Sequence, residues 1–139
     1  MCLELRTAEQ QVKKVAEHNM LCYKILHKDY QAVYEYYTYV RGKKPQKEVE
    51  IQMESSFYDS ESLIVEEGYH SLKNKTSHMG RMYLTHKKFA LFIAVIPKGA
   101  SYYEGYDNDS DDIAYVSSNI IIVGRNTWWT RFKVKIGWI

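Results

Sequence analysis

The sequence predicts an α+β domain in which one N-terminal amphipathic helix packs on a mostly antiparallel, curved sheet of about six strands. Three observations predict it. A capping-box pattern stands near the start at Thr7-Ala8-Glu9-Gln10, short runs of aromatic and β-branched residues follow from Leu21, and Gly, Asn, Asp and Pro separate those runs. The 139 residues suit a single domain spanning residues 1–139, and a 45 % hydrophobic content suffices for a core.

The helix is expected from about Thr7 to His18. Thr7 and Gln10 have the spacing that satisfies two orphan amides at a helix start. Ala8, Val12, Val15 and Ala16 then recur at three and four residues, while Lys13, Lys14 and Glu17 face water. So small a stripe cannot sustain a helix alone, so it is expected to lie against the sheet or a partner.

The clearest strand signals are Leu21 to His27, Glu48 to Met53, Phe89 to Ile96 and Asn119 to Val123. Polar and apolar residues alternate strictly over Glu48–Met53, which predicts one wet face. Phe89–Ile96 and Ile120–Val123 are apolar on both faces, which predicts strands covered on each side. Pro97-Lys98-Gly99 removes a ladder donor and supplies a residue tolerant of positive φ, so the Phe89 run must turn there. Tyr30 to Tyr39 fits both periods and is read as a short helical turn near Tyr30–Tyr34. Ser71 to Lys88 reads as a loop with one turn around Met79–Leu84. In the tail, Phe132, Val134 and Ile136 alternate with Arg131, Lys133 and Lys135, predicting a final strand with a basic outer face.

Nineteen basic against 17 acidic residues leave a charge of +2, too small a surplus to imply a nucleic-acid or membrane partner, and no membrane partner is expected. No segment reaches the roughly 18–20 apolar residues of a membrane span. The N-terminal residues lack the basic start and apolar stretch of a signal peptide, and Cys2 and Cys22 show no disulfide spacing, so a cytoplasmic location is expected. In that setting Asn74-Lys75-Thr76 and Asn108-Asp109-Ser110 are chance matches to the glycosylation pattern.

Several constellations could carry chemistry. Asp107, Asp109 and Asp111 match the first half of a calcium loop, but Asp112 and Ser118 stand where such a loop needs Gly and Glu. A solvated acidic turn between strands is the better reading. The five histidines show no zinc spacing, so no metal site is assigned. His70 stands out because Glu66-Glu67-Gly68-Tyr69-His70-Ser71 gathers an imidazole, a hydroxyl and two carboxylates, offering a general base or an orienting donor. No nucleophile elbow or phosphate-binding loop accompanies it. Thirteen tyrosines suggest a partner-binding surface, because Tyr is a rigid anchor that loses little entropy on burial. With Arg41, Lys43, Lys44 and Lys47 nearby, single-stranded nucleic acid is the weaker alternative. The Trp-rich tail suggests pairing in the sheet or a homo-oligomer through that edge strand.

Cys22-Tyr23-Lys24-Ile25-Leu26, Glu67-Gly68-Tyr69-His70-Ser71-Leu72, Ile96-Pro97-Lys98-Gly99-Ala100-Ser101-Tyr102-Tyr103-Glu104-Gly105 and Val116-Ser117-Ser118-Asn119-Ile120-Ile121-Ile122 together resemble a group of small proteins from bacteria and their phages or mobile elements. That group has no established activity, and the resemblance covers about three quarters of the chain. A more distant likeness is to the ADP-ribosyltransferase fold. It implies Tyr23 and Lys24 as cofactor-binding residues of a first strand, and His70, Ser71 and a late acidic residue, Glu104 or else Asp112, as catalytic residues. Lys24 stands where that fold usually has Arg or His, and His70-Ser71-Leu72 replaces a hydroxyl-rich motif.

The expected function is a non-catalytic binding or accessory protein of phage or mobile-element type, without a cofactor and with a protein partner. The alternative is an ADP-ribosyltransferase-like enzyme, or a ligand-binding relative of one.

Overall fold

A computed structural model describes residues 3–33, 37–40, 44–55, 62–75, 85–108 and 110–137. The expected turns at Met79–Leu84 and around Tyr34, together with Arg41, Lys43 and Cys2, lie outside the described residues. Ten strands are described: β1 (Leu3–Leu5), β2 (Lys14–Val15), β3 (Met20–His27), β4 (Gln52–Ser55), β5 (Leu63–Glu67), β6 (Tyr69–Leu72), β7 (Phe89–Ile96), β8 (Ser101–Asp107), β9 (Ile113–Ser117) and β10 (Ile121–Arg125). One helix, α1 (Trp128–Lys135), follows them. The sheet order is β10-β7-β3-β6-β9-β8-β1-β5-β4, with β2 beside β8, and the described strand pairings are antiparallel.

This overturns the α+β architecture with an N-terminal helix on about six strands. The capping box does form: Gln10 donates its amide to Thr7 Oγ1 at 3.2 Å, and Thr7 donates to Gln10 Oε1 at 3.2 Å. It closes a single turn that does not propagate. Val12 and Val15 stay exposed, and of the expected stripe only Ala16 is buried. A stripe of two alanines and two β-branched valines buries too little to offset helix nucleation. The neighbouring strand captures the segment instead: Lys14 and Val15 pair with Tyr102 and Ser101, and Ala16 exchanges backbone bonds of 2.9 Å with Ala100 and Gly99.

The tail is corrected in the opposite sense, from strand to helix. Thr127 caps α1 by accepting from the Thr130 amide at 3.1 Å, and Lys133 and Lys135 lie in the last turn, where the helix dipole favours cations. The homo-oligomer expected through a C-terminal edge strand therefore has no such strand to use. Elsewhere Glu48–Ile51 is not a strand. Residues 44–51 form an extended strap in which Gln46 and Val49 donate amides to Ile120 and Ser118 carbonyls at 3.1 and 2.9 Å. Tyr30 takes a left-handed conformation (φ 71°), and Gln31 bridges Thr38, so the described part of that region is hairpin-like rather than helical.

The sheet must roll. β5 and β6 are separated by one residue, Gly68, yet β9, β8 and β1 lie between them in the sheet. Four ladder spacings would hold their ends about 19 Å apart in a flat sheet, whereas two residues span at most about 7 Å. Gly68 makes the joint with φ +130°, and a Cβ there would meet Val116 Cγ1 at 2.4 Å. Only glycine suits both demands.

Each face of the sheet carries its own apolar cluster. Cys22, Leu26, Phe92, Ala94, Ile96, Tyr69, Tyr115, Ile120 and Ile122 share one, closed over by Tyr39, Ala32 and Ala16. Leu3, Leu5, Val65, Leu72, Tyr103, Ala114 and Val116 form the other. The two halves of the sheet meet at a narrow seam, since β3 and β6 share the single register pair Tyr23↔Leu72.

Candidate binding surface

Strand alternation decides which of the expected site residues can meet. His70 pairs with Val116, which pairs with Tyr103, and these side chains share the face of the second cluster. Ser71 pairs with Tyr115, which pairs with Glu104, on the opposite face. Lys24 shares that face with Cys22, whereas Tyr23 shares the His70 face through its pairing with Leu72. The structure thus brings Lys24, Ser71 and Glu104 to one side and sets His70 and Tyr23 on the other.

Local bonds occupy several of these groups. His70 Nε2 lies 2.8 Å from the Glu66 carbonyl oxygen, and Lys24 Nζ donates to the His70 carbonyl while sitting 5.0 Å from the Tyr39 ring centre. Burial first, and the Lys24 cation as well, push the His70 imidazole down to about 4, against the opposing pull of the Glu66 carbonyl. It is a neutral imidazole near pH 7, bonded to backbone. Ser71 is buried, and its Oγ lies against the Cys22 thiol, a weak partner, with no oxygen or nitrogen partner among the described residues. That thiol is pushed up to about 12 by its own burial, so Cys22 holds no thiolate. Glu104 pairs with Lys73 at 3.4 Å in a half-exposed ion pair, and burial together with Glu104 raises the Tyr115 phenol.

A shallow cleft of about 420 Å³ lies between the strap and the start of β8, lined by Lys13, Glu48, Val49, Glu50, Ile51, Ser101 and Ser118. None of His70, Ser71, Glu104, Tyr23 or Lys24 lines it. The acidic segment is the β8–β9 turn: Arg6 pairs with Asp111 and lies 4.5 Å from the Tyr106 ring centre, and Ser110 Oγ bonds Asp112 at 2.9 Å. Among the described residues no group of three or more His, Cys, Asp or Glu is placed to hold a metal. No described helix is long and apolar enough to cross a membrane.

The described tyrosines do not form an open surface. Of the nine described, Tyr39, Tyr69, Tyr103 and Tyr115 are buried and the other five are half-buried. Among the described residues, exposed aromatic area collects instead on α1, where Trp128 is 67 % exposed, Trp129 54 % and Phe132 39 %, and Ile136, the residue that caps the helix, continues the apolar side at 53 %. Helical geometry at 100° per residue gathers these four within about 100° of arc. Thr130 and Val134, half-buried, fall on the opposite side, and Thr130 lies over Gly124 of β10. The helix turns its apolar side to solvent, reversing the usual arrangement of a surface helix.

Sequence reasoning placed these residues in a strand and so missed the ridge. Two signals could have found it: the four-residue spacing of Trp128, Phe132 and Ile136, and the cap pair Thr127 and Thr130. No protein-family model, curated protein or solved structure matches the chain.

Proposed function

We propose that the protein is a non-catalytic binding or accessory protein that docks through the outward ridge of α1. The observation that carries the reading is the orientation of that helix. Four large apolar side chains stand in water although the same chain buries Leu3, Leu5, Phe92 and Ile93 almost completely. Exposed apolar patches on monomers mark interaction sites when they are contiguous, and these rings are: Trp128 and Trp129 each stack on Phe132 with centres 5.6 Å apart. The placement of His70 on the face opposite Ser71 and Glu104 supports the same reading, because a transfer enzyme needs its groups to converge on one substrate. The phage or mobile-element setting rests on the resemblance alone.

The test is a comparison of melts. Replacing Trp128, Trp129 and Phe132 together by Ser is expected to cost under about 1 kcal/mol of stability, whereas Phe92→Ala costs about 3–5 kcal/mol. A triple variant as damaged as Phe92→Ala would place the ridge in the folding core and overturn the reading. Nicotinamide dinucleotide is expected to leave the melt of the parent unchanged. A shift that disappears in His70→Ala would return the chain to the enzymes.

A further inference from the structure

The occupant of this ridge can be argued from charge. After Asp112 the sequence holds no acidic residue, while Arg125, Arg131, Lys133 and Lys135 are cationic. The rest of the chain therefore carries 15 basic against all 17 acidic residues. A whole-chain charge of +2 conceals a strongly basic end. On the helix, Arg131 and Lys135 border one edge of the aromatic arc and Lys133 borders the other. The cations thus flank an apolar ridge about 12 Å long, the rise of residues 128–136 at 1.5 Å each.

We propose that α1 lies in the headgroup region of an anionic lipid surface, with Trp128, Trp129, Phe132 and Ile136 turned toward the acyl chains and the flanking cations at phosphate level. This inference rests on the docking role given to the ridge above. Interfacial helices combine an apolar face carrying Trp, Phe or Leu with a Lys/Arg-rich border, and indole rings favour the membrane–water boundary. Two competing occupants fit less well. Single-stranded nucleic acid uses aromatic rings set apart so that each takes a base, whereas here the Phe132 ring is stacked against both indoles, at interplanar angles of 13° and 21°, in one continuous ridge. A second copy of the chain would set like-charged borders against each other, with no acidic residue on the helix to offset them.

All three tryptophans, 128, 129 and 138, belong to this end of the chain, so indole emission reports on it alone. The full chain is titrated with vesicles of phosphatidylcholine and with vesicles of phosphatidylcholine and phosphatidylglycerol in equal parts. A blue shift and co-sedimentation with the anionic vesicles are expected, at least about tenfold stronger than with phosphatidylcholine alone and weakened by salt. The variant R131Q/K133Q/K135Q is expected to lose about tenfold or more of that partition while staying folded, its melting temperature lowered by only a few degrees through the lost cations of the last helical turn. Equal partition into both vesicles overturns the inference, as does a shift produced by an oligothymidylate but not by vesicles, or one produced by protein concentration alone. Any of these results, with the Ser triple variant still melting like the parent, removes the lipid and leaves the docking surface. Loss of stability in that triple variant removes both.

Discussion

Lys24 donates its ammonium to the carbonyl of His70, tying β3 to β6 beside the seam where the two strands share one register pair. A lysine that resemblance assigned to a cofactor is thus engaged in holding two parts of the sheet together. Its charge also lowers the basicity of His70. Lys24→Met is expected to cost about 1–3 kcal/mol in urea unfolding, the range for stranding a hydrogen-bond partner. In the same variant His70 should titrate at higher pH by NMR. A variant with parental stability and an unmoved imidazole would remove the tie.

The His70 imidazole yields a pH dependence with a definite sign. Its folded value, near 4, lies below the ordinary 6.5, so the unfolded chain binds a proton more readily between the two. Stability from this group is complete above about pH 6.5 and drains away as the pH falls through that window, by up to about 3 kcal/mol. His70→Gln should flatten the slope of unfolding free energy between pH 4 and 6.5. An unchanged slope would mean that another group titrates there.

Gly68 joins β5 to β6 at φ +130° with no room for a methyl group against Val116. Gly68→Ala is expected to destabilise by about 2–4 kcal/mol, combining backbone strain with overpacking. Gly99, at φ +91° with open space around it, gives the control: its Ala variant meets the strain without the clash and should suffer less. Equal losses at both sites would show that Val116 yields freely.

Ser71 was expected to serve catalysis, yet its hydroxyl is buried against the Cys22 thiol. Removing a buried hydroxyl that lacks a good partner carries little penalty. Ser71→Ala is expected to leave stability unchanged or to raise it by up to about 1 kcal/mol in thermal or chemical unfolding. A loss above about 1 kcal/mol would reveal a hydrogen bond stronger than a thiol supplies.

The strands rich in apolar residues were readable from sequence because burial on both faces leaves no other solution. Phe89–Ile96 is β7 with the expected bounds, and Leu21–His27 falls within β3. The ends of the chain were not readable, for different physical reasons. Thr7 and Gln10 form their cap, but a local signal of two hydrogen bonds cannot specify a helix whose apolar stripe has nothing large to bury. In the tail, Phe132, Val134 and Ile136 satisfy a period of two while Trp128, Phe132 and Ile136 satisfy a period near four, so the pattern alone could not choose. β1 is three residues long, too short for any periodicity. The candidate site suffered from adjacency: His70 and Ser71 are neighbours in sequence, and the extended backbone of β6 sends neighbours to opposite faces. The charge of the last helix was legible, but only once counted by segment rather than by chain.

The position of β1 carries a consequence for how the protein is made. Leu3 sits between Val65 of β5 and Asp107 of β8, so a strand near the N-terminus finds its second neighbour only after about a hundred further residues. At translation rates of about 5–20 residues per second, that interval lasts roughly 5–20 s. Throughout it, Leu3 and Leu5 belong to a nascent chain that cannot yet bury them as the finished sheet does. Folding dominated by such distant pairings is slow, and β8, the eighth of the ten described strands, completes the neighbourhood of β1.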